Sequence, residues 1–182
     1  MSRVTYPDPK SQAPDTVDLL SRIGNLNVTR MMSHAPSVMK AYSKLGSQLL
    51  MRGKLDPVLR EVLILRIGQL CGSAYEWHQH VSVARAVGMD EAMLEAIDKG
   101  RLEALPPAYL AAVRMVEDIK QTSGASAGSF SLAQKYFCTE ELVEICLVAG
   151  YYIMTAGFLS SFGIEIEDTP PLGASMKAAP GG

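Results

Sequence analysis

The chain reads as an all-α protein, and three observations predict this. Apolar residues recur three and four positions apart in most segments, the spacing of one helix face. Helix starts and stops are dense, with Asp-Pro, Pro-Pro and Ser or Thr before apolar runs and Gly after them. No stretch alternates apolar and polar residues at period two, so no sheet is expected. At 182 residues one domain over 1–182 is expected, large enough to bury a core without staples.

Residues 1–13, with Pro7 and Pro9 and Pro14 close behind, are expected to form an extended arm lying on another surface, such as a neighbouring subunit. Asp15 or Thr16 then caps a short helix through Val17, Leu20 and Ile23 that ends at Gly24 and Asn25. The stretch from Asn25 to Pro36, including His34, reads as a connector. Pro36 suits the first turn of a helix through Val38, Met39, Tyr42, Leu45 and Leu49. Asp56 and Pro57 start a helix to about Leu70, a cap acceptor followed by a preset φ. Ser73, with Glu76 three residues on, reads as a capping box for a helix ending at Gly88. Asp90 caps a short helix closed by Gly100, and Pro106 and Pro107 open another. The segment 122–129 reads as a flexible loop, followed by a short helix over 130–137. Thr139 starts the longest helix, apolar almost all round to Phe162, which is expected to be central or shared between subunits. Residues 168–182 read as a flexible Pro/Gly-rich tail.

Hydrophobic residues make up 48% and charged residues 20%, with a formal net charge of −2. That balance gives no pull towards nucleic acid or an anionic membrane. The first residues lack the apolar stretch of a secretory signal, and no uninterrupted bilayer-length apolar run is read. Cys71, Cys138 and Cys146 are too few and scattered for a disulfide framework, so a cytoplasmic, reducing location is expected.

The chemistry concentrates in Asp56–Gly88. This stretch holds two of the three histidines, His78 and His80, the only tryptophan, Trp77, and Cys71. Its two helices are joined by a short turn and should pack antiparallel. Glu61 lies about eleven residues before that turn and His80 about eight after it, heights within roughly one turn at 1.5 Å per residue. Facing each other in an apolar seam, they would make a pair able to pass a proton near neutral pH. Periodicity alone favours a plainer reading: an exposed Glu61 near a helix N-terminus and a core His80 with a backbone partner. Ser73, Tyr75, Glu76, Trp77 and Tyr151 are the candidate pocket residues. Trp77 at helical spacing from Val81 and Ala84 also suits a core position. Glu76 and His80 are an i, i+4 pair that, with Glu61 opposite, would suit a hard or borderline cation.

Glu61, then Ser73-Ala-Tyr-Glu-Trp-His-Gln-His80, Ala84 and Gly88 resembles the signature of the carboxymuconolactone decarboxylase family, which includes the alkyl hydroperoxidase D-like (AhpD-like) proteins. The likeness is best over 35–100. It implies a helical, homo-oligomeric protein, a trimer or hexamer, built on the antiparallel helix pair. In the AhpD-like peroxidases a Glu is followed by Cys-x-x-Cys and a His four residues later. Aligned on Gly88, Glu61 and His80 take the Glu and His positions, while Ser73 and Glu76 stand where the cysteines would be. Cys71 is two residues out of register. Disulfide-based peroxide reduction needs a low-pKa thiolate and a resolving thiol, so Cys71 is a weak redox candidate.

The decarboxylase branch implies instead a cofactor-free, metal-free lyase on a small carboxylated lactone, as in the catabolism of aromatic compounds. Glu61 and His80 would be catalytic, with Arg66 or Arg85 as candidates to hold the substrate carboxylate. An AhpD-like antioxidant protein with peroxiredoxin activity and a non-catalytic binding protein are the alternatives.

Overall fold

The computed structural model describes residues 1–172, and these contain nine α-helices and no strand. They are α1 (Pro14–Arg22), α2 (Asn27–Met32), α3 (Pro36–Met51), α4 (Pro57–Leu70), α5 (Ala74–Ala86), α6 (Glu91–Asp98), α7 (Pro107–Thr122), α8 (Ala127–Ala133) and α9 (Thr139–Phe162). Proline opens α1, α3, α4 and α7, where its missing N–H has no intrahelical partner to lose.

Three local expectations change. The connector before Pro36 contains α2, because Val28 and Met31, on one helical face, and Leu26 before it are drawn into the interior. Helix α8 starts inside the small-residue loop, where Ser126 accepts from the Ser129 N–H at 3.1 Å. On α3, Val38 and Leu45 are exposed while Met39 and Leu49 are buried, so its buried face is narrower than the sequence indicates.

Helix α4 lies at the centre. Asp56 accepts from the Leu59 N–H at 2.8 Å and sets its first turn. Every residue from Leu59 to Leu65 is buried, because α5, α7 and α9 pack around the helix. Each Leu or Ile so buried contributes roughly 1.5–3 kcal/mol. Gly72, at φ 63°, makes the left-handed turn that folds α5 back along α4.

Helix α9, expected to be central or shared, is one-sided in this chain. Ile145, Val148, Ala149 and Tyr152 face the core, while Val143, Leu147 and Met154 are exposed. By length and composition α9 could cross a membrane, but half of that window is buried within the protein.

The N-terminal arm is tied down within the chain. The Arg3 N–H donates to the Phe162 carbonyl at 2.8 Å, and His34 Nε2 lies 3.0 Å from the Thr5 carbonyl. The start of the expected flexible tail is held down, since the Leu172 N–H donates to Gln79 Oε1 at 2.8 Å. Residues 173–182 of that tail lie outside the described residues.

Candidate active site

Glu61 is fully buried on α4 and reaches across the seam to α5. Its Oε2 lies 2.8 Å from His80 Nδ1. Its Oε1 accepts from Arg60 Nε at 3.3 Å, and Arg60 is itself buried. With the carboxylate as acceptor the proton of this bond sits on Nδ1, and in the neutral imidazole Nε2 then carries the lone pair. His80 lines a cavity of about 220 Å³. An apolar cavity of about 150 Å³ takes benzene, so there is room here for one substituted ring.

Helices α2, α3, α5 and α9 build the cavity wall, closed at one side by Leu172. Tyr152 stands edge-on to the His80 ring, with centroids 4.9 Å apart. Tyr42 stacks on Tyr151 at 4.6 Å. The Thr155 hydroxyl donates to the Tyr151 carbonyl at 2.8 Å, so in the 2.9 Å bond between Tyr42 and Thr155 the phenol is the donor. Burial pushes the phenols of Tyr42, Tyr151 and Tyr152 up, which keeps them as neutral hydrogen-bonding groups. The wall holds no Lys or Arg among the described residues.

Glu76 departs from its expected capping role. Ser73 Oγ does accept from the Glu76 N–H, at 3.4 Å. The Glu76 side chain does not return the bond; it turns inward beside the cavity, 3% exposed. Neither of its carboxyl oxygens has a hydrogen-bond partner among the described residues. Burial pushes this carboxyl up to about 8, so it is protonated at neutral pH.

The candidate residues divide by helix face. Tyr75, Glu76 and Tyr151 line the cavity with His80. Tyr75 is a strut as well as a wall, because its hydroxyl donates to Glu167 of the C-terminal stretch. Glu167 also accepts from Gln79 Nε2 at 2.8 Å. Ser73 and Trp77 do not reach the cavity and border a separate surface depression. Ser73 is the N-cap of α5, and Trp77 projects about 100° around the helix from Glu76. Cys71 caps the end of α4 and borders another depression with Ala156 and Leu159. Burial raises its thiol pKa, and Cys71, Cys138 and Cys146 are all free thiols.

The arginines considered for a substrate carboxylate are engaged elsewhere. Arg66 pairs with Glu117 of α7 at 2.6 Å, and Arg85 pairs with Glu91 at 2.6 Å. No group of three or more metal-donor side chains converges among the described residues. The residues missed from sequence are Arg60, Tyr42, Ser43, Gln79, Thr155 and the anchoring Glu167. No local spacing singles them out, since they meet only through packing of distant helices.

Gly46 on α3 makes the Tyr151 position possible, because a Cβ there would overlap the phenol oxygen. Gly46→Ala is expected to cost about 1–3 kcal/mol through overpacking. Thermal melting checks this, and Tyr151→Phe in the same chain should restore part of the loss.

Residues 36–118 match the model of the carboxymuconolactone decarboxylase family. Over that stretch the chain is similar to the family. Among proteins of curated function, none matches it in sequence. The fold is similar to that of the AhpD core of an uncharacterized peroxidase-related protein from Ralstonia eutropha JMP134. The TM-score is 0.82 at 16% identity, over 92% of this chain and 93% of that one. A peroxidase-related protein from Silicibacter sp. TM1040 gives 0.79 at 15% identity, over 92% of each chain. The debrominase Bmp8, as a Cys-to-Ala variant in complex with 2,3,4-tribromopyrrole, gives 0.77 at 15% identity, over 92% of this chain and 95% of that one. At these identities the likeness establishes the shared helical fold.

Proposed function

We propose that this protein is a cofactor-free acid–base enzyme that moves a proton at carbon in a small ring compound, with Glu61 and His80 as the proton-handling pair. The observation that carries this is the 2.8 Å contact of Glu61 Oε2 with His80 Nδ1, which leaves Nε2 for a ligand in the cavity that His80 lines. The debrominase, of the same fold, takes a small flat heteroaromatic ring, in keeping with a cavity of about 220 Å³.

Decarboxylation of a carboxylated lactone is one form of such chemistry. It needs a cation or several donors for the carboxylate, and the wall offers no Lys or Arg among the described residues. The wall therefore favours an uncharged ring. The test is deuterium incorporation from heavy water into a panel of small cyclic ketones, lactones and carboxylated lactones, followed by NMR, with carbon dioxide release measured alongside. Exchange that disappears in His80→Ala supports the reading. Carbon dioxide release from the carboxylated lactones would establish the lyase form, and exchange unchanged in His80→Ala would sink the pair.

The peroxidase-related neighbours keep a thiol peroxidase as the second reading. It would have to use Cys71, whose thiol burial raises rather than lowers. Hydroperoxide turnover is expected to be slow and equal in wild type and Cys71→Ser; a rate lost in that variant would establish the peroxidase.

Self-association is also proposed. The exposed Val143, Leu147 and Met154 follow a coiled-coil seam along α9, with Gly150 and Gly157, whose Cα positions face open space, at the intervening positions. Light scattering should give a multiple of 19.7 kDa that falls in Leu147→Glu.

A further inference from the structure

Glu76 is the buried polar group that the base pair leaves unused. It stands one turn from His80 on α5, the i, i+4 spacing that puts both side chains on one helix face, and both line the same cavity. Its two carboxyl oxygens and the Ser43 hydroxyl, also on that wall, are buried without a hydrogen-bond partner among the described residues. An unpaired buried polar atom is costly, and native interiors rarely keep one without a use for it. Here three such atoms from two helices border the cavity into which the proton-handling imidazole faces.

We propose that Glu76 is the proton donor of the site, that it hydrogen-bonds and protonates the carbonyl oxygen of the substrate, and that the substrate is therefore an uncharged, enolisable ring ketone or lactone. This rests on the acid–base reading of Glu61 and His80 and names the group it lacked. His80 Nε2 takes the proton from the carbon beside the carbonyl. The C–H pair becomes the new C=C bond, the C=O π pair moves onto oxygen, and that oxygen takes the Glu76 proton. The enol then stands between a Glu76 carboxylate and a His80 imidazolium. Return of one proton to carbon from His80, and of the enol proton to Glu76, restores both groups. The net change is exchange of the ring proton, or its shift along the ring where a conjugated dienol is reprotonated at its far carbon, and no other reactant is consumed.

The surroundings suit an acid rather than a carboxylate. The titratable groups around Glu76 are Tyr75 and His80 on α5, Cys71 on α4, Tyr42 on α3, and Tyr151 and Tyr152 on α9. None is a fixed cation. Apart from His80 they are acids or neutral hydroxyls and thiols, so nothing compensates a negative charge at that position. A substrate carboxylate would meet the same deficit.

The experiment uses 2-cyclohexenone as the probe and benzoate as its charged counterpart. Binding is measured by calorimetry from pH 6 to 10, and deuterium exchange at the probe's ring carbons by NMR. In wild type, 2-cyclohexenone should bind more tightly than benzoate and lose affinity as pH rises through about 8. Glu76→Gln keeps a donor but cannot release a proton. It should bind the probe with no pH dependence in that range, while exchange falls about 100-fold or more. Glu76→Leu should lose both.

No binding of the probe, tighter binding of benzoate, or a wild-type affinity flat with pH would each overturn the role of Glu76. Full exchange in His80→Ala would overturn the Glu61–His80 reading instead, and the pH profile of binding would still judge Glu76.

Discussion

Glu61→Gln is expected to lower proton-transfer turnover by about 10²–10⁴-fold while the chain stays folded. The glutamine amide can donate to His80 Nδ1 where the carboxylate accepted from it. The ring then places its proton on Nε2, which is no longer a base. Glu61→Leu should do further damage. Arg60 is buried and its Nε bonds Glu61 Oε1. Removing one member of a buried ion pair costs roughly 3–5 kcal/mol, because the remaining charge is stranded. Urea denaturation of Glu61→Leu against Glu61→Gln separates the two effects. Wild-type turnover in Glu61→Gln would mean that the carboxylate does not set the imidazole.

Glu76→Gln is expected to stabilise the protein at pH 8 and above. Folding raises this carboxyl from 4.5 to about 8 by burial. Below pH 4.5 the group is protonated folded or unfolded and makes no difference. Between 4.5 and 8 the unfolded chain releases the proton and the folded one keeps it, so stability falls as pH rises. Above 8 the loss is complete. Glutamine has no such proton, so the variant should lack this decline. The difference is on the order of a few kcal/mol, roughly 5–10 °C in Tm for a chain of this size. Melting curves from pH 4 to 9 measure it. Parallel curves for the two proteins would show that Glu76 ionises freely, which the buried position argues against.

Much of the fold is legible in local chemistry. Asp56 with Pro57, Ser73 and Gly72 mark the ends of α4 and α5 because capping and turn geometry depend on residues within three or four positions. The expected height match of Glu61 and His80 follows from helix rise and a short turn, and the contact is made. What local reasoning misses has a common cause. Helix α2 forms because Val28 and Met31 find apolar partners elsewhere. Glu76 satisfies the capping-box pattern in sequence, yet its side chain goes into the cavity. Trp77, beside it, faces out of the cavity.

The sequence by itself determined the helical class and the central antiparallel pair, and it set Glu61 and His80 at matching heights, because each follows from short-range geometry. It also determined that no Cys-x-x-Cys lies between them, with Ser73 and Glu76 in its place and Cys71 alone two residues earlier. Only the tertiary structure decided that α4 is the buried centre, that Arg60 backs Glu61, and that Glu76 is held as a neutral acid beside an apolar cavity. Those depend on which faces of α3, α5 and α9 meet across more than a hundred residues of chain, and it is the water excluded there that sets the protonation of Glu76.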